Sequence, residues 1–209
     1  MAAEPVSKLS IAQHKELFDR LAPSWDGSLS QETLSRVRHI VAELAIKPAS
    51  EVLDAGSGTG VLLPFLTKAV GSDGRIIEMD ISARMLAAAR SKGFGDVTHY
   101  IQADIACMPL VDKVFDLVIC LNAFPHCRHK LKALIEMARV LKKDGRLAIC
   151  HTMSREAVNN LHHNIGGVMG NDLLPDNSEL SQLLTQAGLE IIRFEDKPEF
   201  YLVVTRRMS

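Results

Sequence analysis

The sequence predicts an α/β fold, with a parallel sheet covered by helices on both faces. Two observations predict it. Between residues 51 and 151, short apolar runs near 51–55, 75–79, 97–102, 114–121 and 146–151 alternate with helix-length segments near 61–70, 83–91 and 129–142. Strands separated in this way pair in parallel and need helices on both faces. At the head of the series, Val52-Leu53 leads into an acid, Asp54, and then three glycines at alternate positions, Gly56, Gly58 and Gly60, before the apolar stretch Val61 to Val70. That is a strand, a tight turn and a helix start. Glycine there admits positive φ and the close approach of a ligand. The helix N-terminus offers amides to a polar or anionic group.

The remaining elements follow from local pattern. Residues 1–10 are small and polar and are expected to fray. Ile11 to Leu21 can form a helix, and Ala22 to Ser28 reads as a turn-rich break holding the only tryptophan, Trp25. Gln31 to Ile46 has Leu34, Val37, Val41 and Leu44 at helical spacing, with Ser28 and Gln31 as a possible capping box and Lys47-Pro48 as the stop. Pro64 falls close to the first turn of its helix, where a missing N–H is tolerated. Residues 152–175 form an insertion. Within it Ser154 to Ile165 reads as a helix ended by Gly166-Gly167. Asp176-x-x-Glu179 caps a further helix that ends at Gly188, and 190–194 and 200–205 are two last strands joined around Pro198.

Composition bounds the function. The 209 residues suit one domain, 1–209, and 47% hydrophobic content excludes a disordered chain. A net charge of −1 argues against a nucleic-acid partner. No run of about 18 apolar residues predicts a membrane span, and the N-terminus has no apolar secretion signal, so a cytoplasmic protein is expected. Cys107, Cys120, Cys127 and Cys150 contain no C-x-x-C pair and read as reduced thiols.

The glycine turn alone admits two ligands, a dinucleotide or S-adenosyl-L-methionine. The dinucleotide fingerprint G-x-G-x-x-G needs its third glycine at position 61, which is Val61. Asp54 would also repel a pyrophosphate and welcome an ammonium. The run Asp54-Ala-Gly56-Ser57-Gly58-Thr-Gly60 resembles the cofactor loop of the class I S-adenosylmethionine-dependent methyltransferases. Four later blocks resemble the same family in the same order. They are Ile77-Glu-Met-Asp80-Ile-Ser82 with Met85-Leu86, Gln102-Ala-Asp104 with Met108-Pro-Leu110, Val114-Phe-Asp116-Leu-Val-Ile119, and Ala138-Arg139 through Gly145-Arg-Leu147.

The resemblance implies a Rossmann-like, doubly wound sheet of seven strands closed by an antiparallel C-terminal hairpin. It also implies S-adenosyl-L-methionine as cofactor and S-adenosylhomocysteine as product. Gly56, Ser57, Gly58 and Gly60 would floor the methionine part, and Asp54 would face its ammonium. Asp80 would accept the ribose hydroxyls, Ile81 and Met85 would sandwich the adenine, and Asp104 with Ile105 would meet its amino edge. Asn122 would lie near the sulfonium. Residues 1–30 would form a lid, with Trp25 over the cofactor. The residue types leave other readings open: Asp80 and Asp104 are also good helix N-caps, and Trp25 can simply pack on the first helix. Asp116 starts a strand and reads as structural.

The acceptor side is less sharply marked. His126 and His129 follow the fourth strand, His151 ends the fifth, and His162 and His163 lie on the insertion helix. Histidine is the natural base near neutral pH, so His126, His162 and His163 are the catalytic candidates. Adjacent helical residues point about 100° apart, so His162 and His163 should not face one site together. No H-x-x-x-H spacing is present, so no metal ligand is assigned. The expected function is methyl transfer to a small-molecule acceptor, with residues 152–175 as the acceptor-side insertion. A cofactor-binding sensor or metal-handling protein without transferase activity is the alternative. Oligomeric state is not readable.

Overall fold

The computed structural model describes residues 11–208, so the expected fraying of 1–10 and the first part of the 1–30 lid fall outside the described residues. Seven strands form one sheet in the order β3-β2-β1-β4-β5-β7-β6. They are β1 Glu51–Ala55, β2 Arg75–Asp80, β3 Thr98–Gln102, β4 Phe115–Leu121, β5 Leu141–His151, β6 Leu189–Lys197 and β7 Phe200–Arg207. β1 pairs in parallel with β2 and β4, β2 with β3, and β4 with β5. β7 runs antiparallel to both β5 and β6. The expected seven-stranded fold is what the chain adopts.

Alternation along the strands makes the sheet two-faced. Leu53, Val118, Cys120, Leu147, Ile149, Tyr201 and Val203 share a cluster with Leu134 and Met137 of α5 (Lys130–Val140) and with Leu180 and Leu184 of α7 (Asn177–Gln186). Their neighbours Val52, Leu117, Ile119, Ala148, Cys150, Leu202 and Val204 pack with Val37 and Ile40 of α2 (Gln31–Glu43) and Leu66 of α3 (Leu63–Val70). The chain walks from β1 outward to β3 and then returns to β4 on the other side of β1. The loops after β1 and β4 therefore diverge, and such a switch point is where open α/β sheets bind ligands.

Several local expectations are corrected. The first helix, α1, spans Ile11–Trp25 and runs through Pro23 before a 3-10 turn at Asp26–Ser28, so the break begins later than the turn residues suggest. Pro23 removes one N–H donor from the last turn of α1. The N-cap of α2 is Ser30, whose hydroxyl accepts from Thr33 N at 3.0 Å; Ser28 instead donates to Trp25 O at 2.6 Å. β5 starts at Leu141 directly after α5, and its register with β4 shifts between Phe115 and Leu117, absorbing the extra residues 142–145 of β5. The insertion contains one helix, α6 (Arg155–Ile165), capped by Ser154. All four cysteines are free.

Candidate cofactor and acceptor site

The turn after β1 has Gly56, Gly58 and Gly60 at φ of +81°, +55° and +74°, a conformation that a side chain strains. The three glycines have different neighbours. A Cβ at Gly56 would stand 2.4 Å from the Ala123 Cβ, and one at Gly60 would stand 2.6 Å from Leu63 Cδ1. These two positions let β1 approach the turn after β4 and let α3 pack. A Cβ at Gly58 meets nothing within 4 Å, so this part of the loop is open.

The loop borders a partly open cavity of about 160 Å³. Gly56, Ser57, Gly58, Asp80, Ile81 and Met85 line one end, with Asp104, Ile105 and Asn122 following. Phe18 and Trp25 of α1 also line it, with their rings edge to face at 6.1 Å, so Trp25 both packs on its own helix and lines the cavity. Gly60 and Asp54 do not line it. Asp54 lies beneath the loop, 1% exposed, and no donor reaches either of its oxygens. It faces Glu78 across the β1–β2 register, and Glu78 is equally without a donor. Burial, reinforced by the charge of Asp80, pushes the Asp54 carboxyl up to about 8, and burial raises Glu78 as well. The Ser57 hydroxyl is also buried and unpartnered.

Asp80 ends β2 with its carboxylate oriented by two backbone amides, Gly58 N and Ser82 N, each at 2.8 Å. It does not cap α4 (Ala83–Ser91); Ser82 does, accepting from Met85 N. Asp104 holds Ala106 N at 2.9 Å in a local turn. Asn122 takes a φ of +53° and is tied to Thr152 by a bond from Thr152 N at 3.0 Å. Asp116 accepts from Glu51 N and Lys142, a structural role at the far end of the strands.

Helix α1 is fastened over this end. Asp19 accepts from Ser82 Oγ at 2.6 Å, from Arg84 N at 3.3 Å and from Lys15 at 2.8 Å. Burial opposes its ionisation, but these donors outweigh it and hold the carboxyl at about 2. Asp26 reaches Thr59 of the glycine loop at 2.5 Å and Lys92 at 2.7 Å.

A second part of the lining is built from histidines. His126 lines it from the 3-10 turn after β4, and His14 lines it from α1. One carboxylate oxygen of Asp172, Oδ2, lies 2.8 Å from both His126 Nδ1 and His14 Nε2. His162 Nδ1 meets the Asp172 carbonyl, and its ring lies 4.9 Å from that of His126. Burial lowers the His126 pKa despite the pull of Asp172, so the imidazole is neutral near pH 7. Burial alone would raise Asp172, but the two imidazole donors bring it down to about 2. The consistent state is an ionised Asp172 that accepts from both rings, with His126 neutral. That fixes the His126 tautomer and leaves Nε2 with its lone pair.

Of the three histidines expected to act, His126 lines the cavity and His162 is buried behind it, whereas His163 is exposed and does not line it. The helix geometry separates the pair as expected. Missing from the sequence reading were His14 and Asp172. They stand 158 positions apart, and no local spacing joins them.

A family profile described as a methyltransferase domain matches residues 53–149. A ubiquinone/menaquinone biosynthesis C-methyltransferase of Hahella chejuensis is 31% identical over 142 residues, covering 64% of this chain and 57% of its own length. The chain thus spans about half the length of such curated relatives. Among solved structures, a S-adenosylmethionine-dependent methyltransferase of Aquifex aeolicus matches 97% of this chain and all of its own at a TM-score of 0.67 and 23% identity. A chain of the complex between the Haloferax volcanii Trm112 methyltransferase activator and a methyltransferase matches 92% of this chain and 98% of its own at 0.79 and 21%. At such identities these two structures speak for the fold.

Proposed function

The chain belongs to the class I S-adenosylmethionine-dependent methyltransferases, and from that premise we propose that it transfers a methyl group to a small-molecule acceptor held at the histidine end of the cavity. The observation that carries this is the continuity of one space from the glycine loop to His126. A binding module without transferase activity has no use for the second end. The likeness to a quinone C-methyltransferase favours a small organic acceptor. Among the described residues no helix is long and apolar enough to cross a membrane.

The residues present fit the cofactor. Asp80, oriented by two amides, is placed to accept ribose hydroxyls, with Ile81 and Met85 beside it for the adenine and Asp104 with Ile105 further along. The unpartnered Ser57 hydroxyl, which lines the space, suits a polar group of the ligand. Asn122 lines the same space. When bound, the cofactor supplies a methyl group on a sulfonium, which reacts by in-line displacement. The chain aligns the reactants and excludes water. Phe18, Trp25 and the Asp19 and Asp26 contacts close the cofactor side. His126, positioned by Asp172, takes the proton from an acceptor that must lose one, and His162 packs against its ring.

The test is thermal. S-adenosylmethionine or its demethylated product at about one hundred times its dissociation constant adds about 2.7 kcal/mol and raises the melting temperature. NAD leaves it unchanged. A response to NAD alone would overturn the cofactor reading, and labelled methyl transfer to a quinol or phenol panel then tests the acceptor.

A further inference from the structure

The three side chains that meet at Asp172 form a set unrelated to any cofactor contact. One ring nitrogen each from His14 and His126 and a carboxylate oxygen of Asp172 all lie within 4.8 Å of one another. His14 is 8% exposed, and the side chains of His126 and Asp172 are 14% and 13% exposed, so the set is shielded but not sealed. Both histidines line the cavity, so one side of the set faces a space a small molecule can enter. Its supports are in place: His162 holds the Asp172 backbone carbonyl, and Phe18 stands edge to face against His126 at 5.1 Å.

We propose that His14, His126 and Asp172 form a binding site for one divalent transition cation of the zinc, cobalt or iron class, open on the side that faces the cavity. Two imidazoles and one carboxylate on one face, with open positions opposite, are a donor set that suits these ions. Magnesium prefers an all-oxygen set and is a poor fit. Three protein ligands with a free position also distinguish a reactive metal site from a closed structural one.

The site is compatible with the hydrogen-bonded arrangement, because at His126 binding changes the tautomer and not the charge. His126 Nδ1 now carries the proton it donates to Asp172. To ligate, that nitrogen gives up the proton and Nε2 takes one, and His14 ligates through an unprotonated Nε2. The consequence bears on acceptor chemistry and rests on the proposed transfer reaction, although the site itself does not. With the ion bound, His126 Nε2 is a donor and no longer a base. The open coordination position instead receives an oxygen or nitrogen of the acceptor and lowers its pKa. The metal-free protein therefore relies on an imidazole base, and the loaded protein on a Lewis acid.

The experiment uses the full chain without a histidine tag, stripped with chelator and titrated with Co²⁺ and Zn²⁺ in the absence of cofactor and acceptor. The expected result is one equivalent bound at micromolar ion, with visible Co²⁺ bands displaced by Zn²⁺ and not by excess Mg²⁺. Asp172→Ala and His14→Gln should each weaken binding at least tenfold. His99→Ala, which removes an exposed imidazole on β3, should not. Circular dichroism shows which variants are folded, and either folded variant decides the matter. No stoichiometric binding by the wild-type chain, or undiminished binding by a folded His14 or Asp172 variant, overturns the proposal. The melting shift with S-adenosylmethionine, read on the same samples, reports separately on the transferase reading.

Discussion

The two ends of the cavity are built on different principles. The cofactor end comes from consecutive strand ends, and its residues occur in short blocks: Asp54 to Gly60, Asp80 to Met85, Asp104-Ile105. Backbone geometry dominates there, through positive φ at the glycines and amides aimed at Asp80. The proposed acceptor end comes from four distant segments, α1, the turn after β4, α6 and the loop that follows it, held together by contacts that histidine side chains make to Asp172. A binding end shared across a family can be encoded locally, whereas an end fitted to one acceptor is assembled by tertiary contact. Substitutions should separate the two.

The largest expected effect is at the acceptor end. His126→Ala should lower turnover by about 10²- to 10⁴-fold for an acceptor that loses a proton, with cofactor affinity retained. Steady-state kinetics on an identified acceptor reads this, and unchanged turnover would make His126 a packing residue. Next is the buried acid beneath the loop. The folded Asp54 pKa is raised to about 8 from a usual value near 4, so its contribution to stability is full below pH 4 and is lost as pH rises through 8. Asp54→Asn should remove that alkaline loss, which is on the order of a few kcal/mol. Melting curves at several pH values check it, and parallel profiles for the two proteins would contradict it.

A smaller effect is expected where α1 is fastened. Asp19→Ala removes the acceptor for Ser82 and Arg84 and should cost about 1 kcal/mol of cofactor binding, mainly through faster release in stopped-flow experiments. An unchanged release rate would mean that α1 does not gate the site. The smallest effect belongs to His163, which is exposed on α6. His163→Ala should change stability by less than about 0.5 kcal/mol and leave turnover intact. A large loss would return it to the acceptor site.

This contrast also explains what was legible in the sequence. Strand and helix alternation and the glycine turn are local signals, and the seven-stranded sheet follows them. Misreadings arose where local signals compete. Pro23 suggested a break, but it sits close enough to the end of α1 to be accommodated. Ser28 and Ser30 are both plausible caps, and only the geometry of the 3-10 turn selects Ser30. His126 was visible because it follows a strand end. Asp172 was not, because a single acid in a glycine-containing loop carries no pattern, and its meaning depends on two histidines brought to it by the fold. Gly60 does not line the cavity, and a side chain there would press on Leu63 and Ala89.

The separation of the two ends can be measured without knowing the acceptor. Calorimetric titration with S-adenosylhomocysteine should give a much weaker dissociation constant for Asp80→Ala than for the wild-type protein, since hydrogen bonds to a charged acceptor contribute roughly 1.5 to 3 kcal/mol each. His126→Ala should bind as the wild type does. Full affinity in a folded Asp80→Ala protein, or lost affinity in a folded His126→Ala protein, would contradict the division of the cavity into a cofactor end and an acceptor end.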